Sequence, residues 1–272
     1  MPRSLATVRH VQPRPSGAVS GPAGDLDRAF SDLYQIAQHS THIFGSPLGP
    51  LSVGGESHTV PRFVYFGPQF SDESVRLVFH AGFDGRDARP SRALLHLVER
   101  LALKPDLGQG LNLTFFPLVN PSGLARSTLE AAGGQDLTRA HWNLSDSPEI
   151  ALLSQDARLR AYHGFVRVES AAVTEIVATI RNGSRAGSGN DSVLAGPGDA
   201  AGFRVRWFVE KGGDHASSGP LTLADDLPLA PFELRVEVPD VWNDQLYSEA
   251  VLQVLKSFII HYRATYAYGI HL

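Results

Sequence analysis

The chain of 272 residues contains no cysteine. A disulfide framework, a thiolate zinc site, an iron–sulfur cluster and a cysteine nucleophile are thereby excluded, and any metal would be held by His, Asp or Glu. Lysine is nearly absent: the basic residues are 21 Arg and 3 Lys. Arginine is the better bidentate clamp for carboxylate or phosphate, although the same bias arises from coding composition. Positive charge is not in excess, since the net charge is −4, which argues against a nucleic-acid partner. No apolar run reaches the ~18–20 residues needed to cross a bilayer, so no membrane partner is expected. The segment 1–24 is basic and rich in Pro, Gly and Ser, and it lacks the roughly 7–15-residue apolar core of a signal peptide. It reads as an N-terminal arm on a cytoplasmic protein, followed by one domain over 25–272. There is no G-x-S-x-G elbow, no G-x-G-x-x-G or P-loop, and no H-E-x-x-H or H-x-x-E-H helix. Serine hydrolase, dinucleotide oxidoreductase and NTPase readings lose most of their weight.

What is present is a globular composition with many turns: 43% hydrophobic and 19% charged residues, with 26 Gly and 18 Pro. Leu26, Phe30, Leu33, Ile36 and Ala37 fall at helical spacing, with Asp25 placed to cap them. Strands are predicted over 60–66 and 75–81, a helix over 90–103 and a doubly buried strand over 111–119. A helix over 148–162, strands over 165–168, 175–180, 203–209 and 232–238, and a closing helix over 244–262 follow. The segment 182–202 reads as a Gly- and Ser-rich surface loop. Interleaved helices and apolar strands predict an α/β fold, a three-layer α/β/α domain around a mixed, mostly parallel sheet. In such sheets the site lies at the carboxyl ends of the strands, after Ala81, Val119, Val168 and Val236.

Two motif blocks occupy such loops. Ala81-Gly82-Phe83-Asp84-Gly85-Arg86-Asp87 leads into Pro90-Ser91-Arg92. Asn120-Pro121-Ser122-Gly123 is followed by Gly134-Gln135-Asp136-Leu137-Thr138-Arg139 and then His141-Trp142. Together they resemble the zinc carboxypeptidase family (M14), including its succinylglutamate desuccinylase and aspartoacylase branch. There the blocks read A-G-x-H-G-x-E and N-P-x-G with G-x-D-L-N-R. The resemblance implies that Asp84, Asp87 and Glu169 (in Val166-Arg167-Val168-Glu169-Ser170) stand where the family holds its metal. It implies that Glu237, two residues before Pro239, stands at the general base, with Glu233 the competing register. It also implies that Thr138-Arg139 stands where the family grips a substrate carboxylate. Leu129 occupies the position of the family's oxyanion arginine, and Arg126 is the nearest replacement.

The ligand positions depart from the family in their chemistry. Two imidazoles and a carboxylate become three carboxylates, which suit Mg²⁺, Ca²⁺ or Mn²⁺ rather than zinc and repel one another unless neutralised. Three readings stay open: a hard divalent cation, zinc recruited through His80, His141 or His163, or no metal, with a guanidinium of Arg86 or Arg89 folded among the acids. The preferred function is a carboxypeptidase-like protein with altered metal and oxyanion sites. It would bind a small carboxylate-bearing or amino-acid-like ligand, or a peptide C-terminus, with weak or no turnover. An acidic floor beside Arg139 would suit a zwitterion. The alternatives are an active metal-dependent carboxypeptidase or N-acyl amino acid deacylase and, opposed by the motif blocks, a carboxylate-metal phosphohydrolase.

Overall fold

The computed structural model describes residues 22–53, 56–182, 198–210, 219–227 and 231–269. Among these residues, ten strands and five α-helices follow one another as α1 (Pro22–His39), β1 (Ile43–Gly45), β2 (Leu48–Val53), β3 (Glu56–Val60), β4 (Phe63–Phe66), β5 (Val75–His80), α2 (Arg89–Leu103), β6 (Leu111–Phe116), α3 (Pro121–Arg126), α4 (Pro148–Arg160), β7 (Gly164–Ala171), β8 (Ile176–Asn182), β9 (Val205–Glu210), β10 (Phe232–Pro239) and α5 (Asp244–Gly269). Eight strands form one sheet in the order β1-β4-β6-β5-β7-β10-β8-β9, and β2 and β3 form a separate hairpin. The centre, β6-β5-β7-β10, is parallel, while β4 joins β6, and β8 joins β10, in antiparallel fashion. The four central strands therefore end at one edge of the sheet.

Side-chain alternation along the strands builds two unlike faces. Leu77 and Phe79 of β5, Val166 and Val168 of β7, and Leu234, Val236 and Val238 of β10 turn to one side, into a core closed by α1, α2 and α5. Leu94, Leu95, Val98 and Leu101 give α2 its buried stripe, and Pro90 is placed in its first turn, where no amide hydrogen is needed. Val78, Phe116 and Phe165 turn to the other side and meet Trp142, α4 and the β2–β3 hairpin. This is the three-layer arrangement with a mixed sheet that the element order predicts.

Several boundaries differ. The first helix starts at Pro22, so Asp25 lies in its first turn instead of capping it. Residues 1–21 of the expected arm, and 183–197 of the expected loop, lie outside the described residues. The strand expected over 60–66 is split at Pro61, with Val60 closing β3 and Phe63 opening β4. Proline cannot donate to a ladder, which explains the break. The helix expected over 148–162 stops at Arg160 because Ala161 takes a left-handed conformation. Among the described residues, no helix is long and apolar enough to cross a membrane.

Candidate functional site

The loops at the carboxyl edge of the central strands enclose a cleft of about 430 Å³. Its walls come from 82–90 after β5, from Leu129, Asp136, Thr138 and Arg139 in the excursion after β6, from the end of β7, and from Arg235 on β10. Asn120 ties these walls together. Its Oδ1 accepts from the Gly123 amide at 2.8 Å and so caps α3, while its Nδ2 donates to the carbonyls of Phe83 and Leu129, both at 3.1 Å. Gly85 and Gly123 allow the two loops to touch, since a Cβ on Gly85 would stand 2.1 Å from the Gly123 carbonyl carbon. Asp136 shapes the other wall: Oδ1 accepts from the Thr138 amide at 2.8 Å and from its hydroxyl at 2.6 Å.

Asp84, Asp87 and Glu169 line this cleft, and each is already occupied by arginine. Arg86 grips Asp84 through Nε at 2.9 Å and NH2 at 2.7 Å. Arg89 repeats the grip on Asp87 at 2.8 and 2.7 Å, and Ser170 adds a hydroxyl at 2.5 Å. Glu169 receives Arg235 Nε on one oxygen and Arg167 NH2, at 2.7 Å, on the other. Burial would raise the carboxyls of Asp84 and Asp87, but the arginine hydrogen bonds outweigh it and hold both below their ordinary value. These contacts are charge-assisted and bidentate, the strongest class of side-chain hydrogen bond.

A divalent cation does not fit this donor set. Every carboxylate oxygen that would ligate it already accepts from a guanidinium. Among the described residues, no three His, Asp or Glu side chains converge as a metal site. The histidines do not join the acids either. His80 is buried and stacked on Phe116 with ring centroids 5.4 Å apart, with Trp142 edge-on to it. Burial, aided by Arg167, pushes its pKa down to about 3. His163 accepts from the Arg76 amide at the opposite end of the strands, and His141 bridges to Gly219. The acidic floor expected for a ligand ammonium is likewise neutralised by arginine.

The remaining predicted residues are placed as follows. Arg139 lines the cleft, is exposed, and makes no ion pair among the described residues. Glu237 stands beside Glu169 across the parallel β7–β10 pair, 3.4 Å from Arg235 NH2. Glu233 lies four residues deeper, buried, which separates the two registers. Arg126 donates to the carbonyls of Glu130 and Ala131 and does not line the cleft, whereas Leu129 does. Sequence reasoning missed Arg167 and Arg235 as partners of Glu169. The signal was the alternation of charged with apolar residues in Arg167-Val168-Glu169 and Glu233-Leu234-Arg235-Val236-Glu237, which puts the charges on one face.

Solved structures share the fold. A candidate metallopeptidase from Shewanella amazonensis aligns with a TM-score of 0.62 at 20% identity, over 87% of this chain and 93% of its own. A metallo-carboxypeptidase from Burkholderia cenocepacia aligns at 0.63 with 14% identity, over 87% of this chain and 68% of its own. Carboxypeptidase A from Helicoverpa armigera aligns at 0.61 with 14% identity, over 89% and 73%. No protein-family model and no curated protein matches the sequence. The chain has the metallo-carboxypeptidase fold, with arginine-paired acids lining its cleft.

Proposed function

We propose that this protein is a carboxylate-binding, non-hydrolytic member of the carboxypeptidase-like fold. The observation that carries the reading is the contrast within one cleft: Arg86 and Arg235 are each bound to an acid, while Arg139 is left without an ion pair among the described residues. A free guanidinium on a cleft wall offers a fork of N–H groups matched to a carboxylate. Asp84, Asp87 and Glu169, the acids of the floor, are already paired with arginine, so the ligand carries one negative charge and a neutral remainder, as in an acylated amino acid or a peptide C-terminus. Thr138 is fixed by Asp136, with its carbonyl on Arg167 NH2 at 2.9 Å, so the wall beside Arg139 is held before a ligand arrives.

Calorimetric titration with N-acetylleucine, leucine and leucinamide tests this. N-acetylleucine is expected to bind, leucine more weakly and leucinamide not at all, and Arg139→Gln to weaken N-acetylleucine by roughly tenfold or more. Equal binding of all three, or an unchanged affinity in Arg139→Gln, overturns the reading. A second reading, metal-dependent hydrolysis of an amide bond, is favoured by the fold of the solved neighbours and by Glu237 standing beside Glu169. Release of leucine from N-acetylleucine, abolished by Glu237→Gln, would establish it instead.

A further inference from the structure

Beneath the cleft lies a buried acid for which the carboxylate-binding reading has no use. Glu233 is 4% exposed. Its Oε2 accepts no hydrogen bond among the described residues, and the buried Nε of Arg167 donates none. Its Oε1 lies under Gly219, at φ +118°, where a Cβ would come within 2.9 Å of that oxygen. Only glycine closes this lid without displacing the acid. The lid continues into the cleft wall, because the Gly219 amide donates to the Ala140 carbonyl at 3.0 Å, one residue from Arg139.

The charged groups around Glu233 come from every strand near it. Arg235 and Glu237 follow on the same face of β10. Arg167 and Glu169 lie on β7, and Arg181 of β8 stands in register opposite, its Nε on Glu210 of β9. Arg167 and Arg235 are both committed to Glu169, so Glu233 has guanidinium groups about it and is paired with none among the described residues. A buried ionised carboxylate without a partner is far more costly than a neutral acid in the same place.

We propose that Glu233 is a positioning residue of the cleft: while its carboxyl group is neutral, Arg167 and Arg235 both remain on Glu169, and once it ionises it competes for them. This inference rests on the carboxylate-binding reading and names the control on that same site. Burial, only partly offset by Arg167, Arg181 and Arg235, pushes the Glu233 carboxyl up to about 7, so the exchange falls within the neutral range. Ionisation adds a negative charge below the cleft and draws guanidinium away from Glu169. Both effects oppose an anionic ligand, so affinity falls as pH rises.

The test follows N-acetylleucine affinity from pH 5.5 to 8.5, together with the arginine side-chain Nε–H resonances of ligand-free protein. In the wild type, affinity is expected to fall by roughly three- to tenfold across neutral pH, and the Arg167 and Arg235 resonances to move with the same midpoint. Glu233→Gln, which mimics the neutral acid, is expected to keep the low-pH affinity and resonances at every pH. Wild-type pH dependence surviving in Glu233→Gln overturns the proposal, as does Glu233→Gln binding no better than Glu233→Ala. Should N-acetylleucine bind to no form, the carboxylate-binding reading fails and the resonances alone decide: movement near neutral pH that Glu233→Gln abolishes supports the positioning role, and static resonances refute it.

Discussion

Two regions lie side by side on the same face of the sheet and bury polar groups in opposite ways. Around His80 the neighbours are rings: Phe83, Phe116, Trp142 and Phe165. Two to four residues further along β7, and on β10, the same face carries Arg167, Glu169, Glu233, Arg235 and Glu237. The aromatic region accommodates a titratable side chain by keeping it neutral. The charged region, Glu233 excepted, accommodates charge by pairing it, and Arg167 marks the border, its guanidinium 4.2 Å above the Phe83 ring and its NH2 on Glu169. Pairing of Asp84, Asp87 and Glu169 with arginine offsets the acids of the cleft floor, beside Arg139, which has no ion pair among the described residues.

The border should break first. Arg167→Ala leaves Glu169 short of a partner in a mostly buried setting and removes the contact with Phe83. It is expected to lower unfolding free energy by about 3–5 kcal/mol in urea titrations. A loss under 1 kcal/mol would mean that the charged region is solvated and not a packed lattice.

The two regions next predict opposite pH responses. Unfolded His80 takes up a proton below about 6.5 and native His80 only near 3, so stability is lost as pH falls through that window. Unfolded Glu233 ionises above about 4.5 and the native group only near 7, so stability is lost as pH rises between them. The slopes cancel between about pH 4.5 and 6.5. Glu233→Gln should unmask the rise from His80, on the order of 5 kcal/mol across its window, and His80→Phe the fall from Glu233, on the order of 3 kcal/mol. Two variants with the same pH profile would show that the regions do not differ as described.

The tandem Asp-x-Arg units give smaller effects. Asp87–Arg89 is sheltered, with the Arg89 side chain 20% exposed and its NH1 on the carbonyls of Asp240 and Trp242. Asp84–Arg86 is open, with Arg86 59% exposed. Arg89→Ala should cost roughly 2–3 kcal/mol, and Arg86→Ala less than about 0.5 kcal/mol, in the same titrations. Equal losses would erase the distinction between a pin and a surface pair. Least of all, Arg126→Ala should leave N-acetylleucine affinity unchanged, because its guanidinium is spent on backbone carbonyls outside the cleft.

Much of the scaffold was legible because its elements are long or strongly patterned. The stripe of Leu94, Leu95, Val98 and Leu101 defines α2, and the apolar run from Leu111 defines β6. The short β1, the hairpin β2–β3 and the six-residue α3 escaped because segments of three to six residues, most of them broken by Gly or Pro, carry no periodicity. The cleft loops were legible from their motif blocks, but a guanidinium of Arg86 or Arg89 folded among the acids was one of three open readings, and each instead holds only the acid two residues before it, and not Glu169. Pairing of Glu169 with Arg235 was not legible, since those residues are 66 positions apart and meet only through the β7–β10 register. The burial of Glu233 was equally hidden, because it depends on Gly219 closing over the strand.

The central claim is that guanidinium groups stand in this cleft where a metal would otherwise balance the acids. Titration of N-acetylleucine into chelator-treated protein, repeated after adding one equivalent of zinc, tests it most directly. Identical binding in both titrations, with no leucine released, is the predicted result; binding or leucine release that appears only after zinc would contradict it.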